Sequence, residues 1–139
     1  VSTKNLLLPL ALLLSLVLVA GCAAGKEESA YLAQPKAGDL YAVELSHFSG
    51  SEFGEDETSY GLMKVIQVTP DQVVFVTENA GWPNPQSARN DLHGDLSGIT
   101  WDNSEKIPVR RADLPGYYGN RIIEIRRMDT APVTASGEG

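Results

Sequence analysis

Apolar positions fall into two kinds of pattern along this 139-residue chain. Residues 5–20, NLLLPLALLLSLVLVA, form one near-continuous apolar run. Its length suits the hydrophobic region of a signal peptide and is short for a bilayer-spanning helix. Beyond it, apolar residues come in short strand-like groups. Tyr41, Val43 and Leu45 occupy alternate positions and so share one face of a first strand. Residues 60–68, YGLMKVIQV, are β-branched and apolar on both faces, the pattern of a central strand. Thr69-Pro70-Asp71 supplies a turn, because proline presets φ and aspartate tolerates the next position. Residues 72–77, QVVFVT, return as the second arm of a hairpin. Residues 120–128, NRIIEIRRM, predict a last strand with Ile123 and Ile125 on one face.

The segments between are less regular. Residues 23–38, AAGKEESAYLAQPKAG, are small, polar and charged without a helical or strand period, and read as a flexible tether. A coil of that length has a mean span of roughly 20–24 Å. Residues 78–97 read as a long loop rich in Asn, Gly and Pro, followed by a weaker strand signal around Ile99–Trp101. Val109–Leu114, VRRADL, predicts one helical turn stopped by Pro115-Gly116. Residues 129–139, DTAPVTASGEG, read as a disordered tail. The expected fold is mostly β: a small antiparallel barrel or strongly bent sheet of four to five strands with a short helical turn. Val43, Leu45, Leu62, Ile66, Val73, Phe75, Ile123 and Ile125 are its expected core.

Lys4 precedes the first apolar run, which ends in Leu18-Val19-Ala20-Gly21-Cys22. This segment resembles the bacterial lipoprotein signal peptides, whose cleavage box places an apolar residue and two small ones before a cysteine. The resemblance implies cleavage between Gly21 and Cys22, with lipid attachment at Cys22 and acylation of the new amino terminus. Several acyl chains on one cysteine anchor a protein stably, where a single chain binds only marginally. Ala23 after the cysteine fits the pattern for outer-membrane sorting, with the domain facing the periplasm. The division then runs 1–21 signal peptide, 22–38 lipidated cysteine and tether, 39–128 β-domain and 129–139 tail. An uncleaved membrane anchor is the alternative. Within the domain, Lys36-Ala37-Gly38-Asp39-Leu40-Tyr41 and the acidic loop 48–59 resemble the opening and long first loop of SH3-like barrels. The mature part is likewise similar to small uncharacterised envelope lipoproteins, a likeness that transfers no catalytic residue.

Charge narrows the partners. The chain carries 11 basic and 18 acidic residues, a formal −7. Removing residues 1–21 takes away Lys4 alone and leaves −8. Such a body is a poor nucleic-acid binder, and it favours basic partners where charge does more than confer solubility. Cys22 is the sole cysteine, so no internal disulfide can form and the core alone must hold the fold.

Candidate chemistry is sparse. His47 ends the first strand in register with Tyr41, Val43 and Leu45, as a base candidate or a rim residue. His93 has Asp95 two residues on; that is two metal ligands where a site needs three or more. No nucleophile-elbow or zinc-helix motif occurs, and no cofactor is expected. Phe53, Glu55, Asp56 and Glu57 form an acidic loop around one aromatic. Asn79, Trp82 and Asn84 put a tryptophan among amides in the second loop. Together they are the expected contact patch for an envelope protein or glycan, if both loops emerge at one end of the domain. Arg110-Arg111 and Arg126-Arg127 form a local basic patch or pair with carboxylates. Three functions remain open. One is a membrane-tethered, non-enzymatic binding or structural module. Another is an inhibitor or immunity protein that uses the acidic loop against a basic toxin or hydrolase. The third is an envelope enzyme, or its accessory, using His47 or His93.

Overall fold

The structure, a computed structural model, describes residues 27–49 and 57–128. Five strands form one antiparallel sheet: β1 (Leu40–Glu44), β2 (Tyr60–Val68), β3 (Gln72–Glu78), β4 (Trp101–Arg110) and β5 (Ile122–Arg126). Their spatial order is β4-β3-β2-β1-β5, and the sheet does not close. The expected mostly-β, bent-sheet architecture is therefore present. Five helical pieces decorate it besides a helix, α1, over residues 27–33. They are α2 (Leu45–Phe48), α3 (Pro85–Leu92), a 3-10 turn (Leu96–Gly98), a second 3-10 turn (Arg111–Asp113) and α4 (Leu114–Tyr117). Among the described residues no helix is long and apolar enough to cross a membrane. The run 5–20 and the tail 129–139 lie outside them.

The sheet buries both faces. On the inner face Tyr41, Val43, Met63, Val65, Val73, Phe75, Ile107, Val109, Ile122 and Ile125 pack with Leu32, Leu45 and Leu114. On the outer face Leu40, Ala42 and Leu62 pack under Ala88 and Leu92 of α3. This double burial explains why β2 is apolar on both sides. The β2–β3 turn forms as expected. Thr69 N–H donates to the Gln72 carbonyl at 2.9 Å, and Gln72 N–H returns a bond to Thr69 Oγ1 at 3.0 Å.

Register shifts account for two departures in the core. One lies between Val65 and Gln67 of β2, and one between Ala42 and Val43 opposite β5. A bulge inserts a residue and reverses which side chains face inward beyond it. Ile66 is consequently only half-buried. In β5, Ile122 joins Ile125 in the inner core, while Ile123 packs at the margin of the outer cluster.

Four other expectations are corrected. Residues 27–38 are not a flexible tether, because α1 packs on the sheet. Leu32 is buried, and Glu28 accepts from the Tyr118 hydroxyl and from Ile125 N–H at 2.9 Å. Arg127 donates to both carboxylate oxygens of Asp39, at 2.8 and 2.9 Å, and its guanidinium lies 4.3 Å from the Tyr31 ring. The loop 78–97 contains α3, started by Asn84 and Pro85. The Asn84 side chain caps Ser87 N–H at 2.9 Å, and proline suits a first turn that needs no N–H. The weak stretch near Trp101 is the start of ten-residue β4, an edge strand where Pro108 is tolerated. Lastly, Pro115 does not stop the turn at 109–114; it sits at the start of α4, which runs to Tyr117.

Candidate functional site

The β1–β2 and β3–β4 connections leave the sheet at the same end. Ser46 N–H donates to the Ser59 carbonyl at 3.3 Å, and Tyr60 and Trp82 exchange backbone bonds of 2.8 and 2.9 Å. This bridge holds the Trp82 ring, half-buried, beside the end of β3. Phe53, Glu55 and Asp56 lie outside the described residues, as do Gly21 and Cys22. Glu57 is exposed.

Glu78, the last residue of β3, is only 6% exposed. Gly61 of β2 makes room for it: a Cβ there would lie 3.2 Å from Glu78 Oε2 and 2.5 Å from Leu45 Cδ1. Glu78 Oε2 accepts the Leu62 N–H at 2.8 Å. Its other partner is the Asp91 carboxyl of α3, an acid facing an acid. Burial, then the hydrogen bond and charge of Asp91, raise the Glu78 carboxyl from 4.5 to about 9, against a lowering by Leu62 N–H. The pair therefore holds a proton at neutral pH, as two carboxyl groups in contact cannot both ionise cheaply. Asp91 Oδ2 is buried and has no hydrogen-bond partner among the described residues.

Two cavities meet at Glu78, and the larger also reaches Asp91. The larger, about 410 Å³, is bounded by Glu78, Asn79, Trp82, Asp91, Asp95 and residues 98–100. The smaller, about 200 Å³, lies between Leu45, Ser49, Thr77, Glu78, Gly81 and Asp102. Among the described residues, each ionisable group lining either cavity is an acid. Ser97 holds the Asp95 carboxyl below the usual range through its hydroxyl and N–H, and Ser104 does the same for Asp102. A buried, protonated Glu78 carboxyl facing Asp91 thus sits among ionised carboxylates and a tryptophan. Such a surface can donate one hydrogen bond, accept several, and attract cationic or amide groups.

Of the expected contact residues, Asn79 and Trp82 come together at the larger cavity, whereas Asn84 is occupied as a helix cap. His47 is not on the inner face. The strand ends at Glu44, and the α2 turn puts the exposed imidazole edge-on to Phe48 and Tyr117, at 4.9 and 5.3 Å between ring centres. The partner of His93 is Glu124, at 2.6 Å, while Asp95 caps the following 3-10 turn. Among the described residues no group of three or more His, Cys, Asp and Glu could hold a metal ion. Arg111 and Arg126 bond backbone carbonyls of Thr69, Ala33 and Leu92, and Arg127 pairs with Asp39, so these arginines serve the fold.

Sequence reasoning passed over Glu78 and Asp91. The signal for α3 was present in Asn84-Pro85 followed by Ala88 and Leu92 one turn apart, and with that helix Asp91 would have been placed over the sheet. The chain matches no protein-family model, no curated protein and no solved structure.

Proposed function

We propose that this chain is an envelope lipoprotein, anchored through Cys22 in the outer membrane and facing the periplasm. Its domain acts there as a non-enzymatic binding module. The observation that carries the binding reading is the cavity over the Glu78–Asp91 pair, walled by Trp82 and with acids as its ionisable lining among the described residues. Concave surfaces with an aromatic wall and a few convergent polar groups are the usual form of a recognition site. The lining favours a basic or amide-bearing group of an envelope partner. The same acidity supports the inhibitor or immunity reading, in which that group belongs to a toxin or hydrolase. The strand order supports an SH3-like arrangement, with β1 and β5 adjacent and a 3-10 turn before the last strand.

Two measurements test the proposal. Cys22→Ser is expected to leave an unprocessed precursor that takes up no labelled fatty acid; equal labelling of mutant and parent would remove the lipoprotein reading. In crosslinked envelopes, Trp82→Ala is expected to lose the partner captured by the parent while remaining folded. Full retention would move the site away from this cavity.

A further inference from the structure

Resting on the lipid anchor just proposed, we infer that the β5 flank of the domain lies against the lipid headgroup layer and that the acid-lined cavity faces away from it. The first ground is chain length. If residues 23–38 were a free tether, 17 Cα steps would separate Cys22 from Asp39, a reach of about 60 Å. Helix α1 removes most of that. Glu28, Leu32 and Arg127 fasten residues 27–38 to the sheet, through Ile125 N–H, the inner core and Asp39 respectively. Only residues 23–26 then separate the acylated cysteine from Glu27. Five Cα steps reach at most about 18 Å, comparable with the ~13 Å radius of gyration of a 100-residue domain. A domain on so short a leash cannot turn freely, and the side from which the leash leaves faces the bilayer.

The second ground is the placement of that side. Glu27 and Glu28 share a groove with Tyr31, His93, Glu124 and Arg126. In α3, Arg89 and His93 reach Glu124 of β5, at 4.0 and 2.6 Å. Asp91, two residues from each, is turned to the other flank, where it meets Glu78. Leash and cavity therefore lie on opposite flanks of one helix, itself 10–12 Å across in general. Charge agrees with geometry. The β5 flank mixes arginines and a histidine with its carboxylates, whereas the ionisable residues described along the cavity are all acids, so that flank is repelled by anionic headgroups.

The experiment uses the isotopically labelled, lipidated protein purified from membranes and placed in nanodiscs containing a lipid with a paramagnetic headgroup. Amide signals of Tyr31, Glu124 and Arg126 are expected to broaden several-fold more than those of Ala80 and Trp82. A 20-residue Gly/Ser insertion between Ala24 and Gly25 is expected to abolish that contrast. Equal broadening of the two groups in the parent, or a contrast unchanged by the insertion, would overturn the orientation. Mass analysis of the Cys22 peptide in the same sample reads the anchor separately; an unmodified cysteine would overturn the anchor and the orientation with it.

Discussion

Asp39 and Glu78 are both buried acids, 1% and 6% exposed, and the fold treats them in opposite ways. Asp39 receives a guanidinium: Arg127 donates two bonds to it, and Lys36 N–H adds a third at 3.0 Å. That side chain pair also draws Tyr31 and the Gln34 carbonyl around Arg127, so one ion pair fastens α1, β1 and the end of β5. Glu78 receives no cation from the described residues. It meets a second carboxyl and keeps its proton, leaving Asp91 Oδ2 without a partner beside a cavity. A satisfied buried ion pair specifies a fold, whereas an unsatisfied buried acid beside an opening costs stability and marks a place where a ligand can repay it.

Breaking the satisfied pair has the largest expected effect. Arg127→Met strands the Asp39 carboxylate in a buried position and is expected to cost about 3–5 kcal/mol in urea unfolding at pH 7. That is the scale of Phe75→Ala in the inner core. A change below about 1 kcal/mol would place this ion pair with surface pairs of little consequence.

The unsatisfied pair is sharpened by pH. In the unfolded chain Glu78 releases its proton near 4.5, but in the fold it holds it to about 9. The folded state thus binds more protons across that interval, and this group's contribution to stability falls as pH rises through it. One proton corresponds to at most about 1.4 kcal/mol per pH unit. Glu78→Gln keeps the shape and removes the titration, so urea midpoints measured between pH 5 and 9 are expected to lose this slope and to rise most at pH 9. Parallel profiles for variant and parent would show that Glu78 does not carry the shared proton.

A smaller effect is expected from Asp91→Asn. An amide in place of the second acid can donate to Glu78, so the Glu78 titration followed by carboxyl carbon NMR should move to lower pH. The stability change at pH 7 should be about 1 kcal/mol. An unmoved titration would assign the raised value to burial alone. A stability effect of similar size is expected from Asn84→Ala, which removes the α3 cap but touches neither acid. It should cost about 1 kcal/mol by thermal unfolding and leave the pH slope intact. Loss of the slope would show that the pair depends on how firmly α3 is seated.

The sequence by itself determined the β-rich class, the strands β1, β2, β3 and β5, and the turn between β2 and β3. These follow from alternation and from Thr69-Pro70-Asp71, interactions between residues a few positions apart. It also marked Trp82 and Asn79 as neighbours in a connection, and the structure brings both to one cavity. The tertiary structure alone decided the rest. Polar β4 becomes a strand because β3 offers it an edge, and the bulges turn Ile122 inward in place of Ile123. Residues 27–33 have no periodic apolar face. They are fastened because Tyr118, Ile125 and Arg127, about 90 positions away, supply partners for Glu28, Gln34 and Asp39. Glu78 and Asp91 each look like ordinary surface acids in the chain. Their shared proton exists only because α3 lays one over the other on the outer face of the sheet, and that burial comes from long-range packing rather than from local pattern.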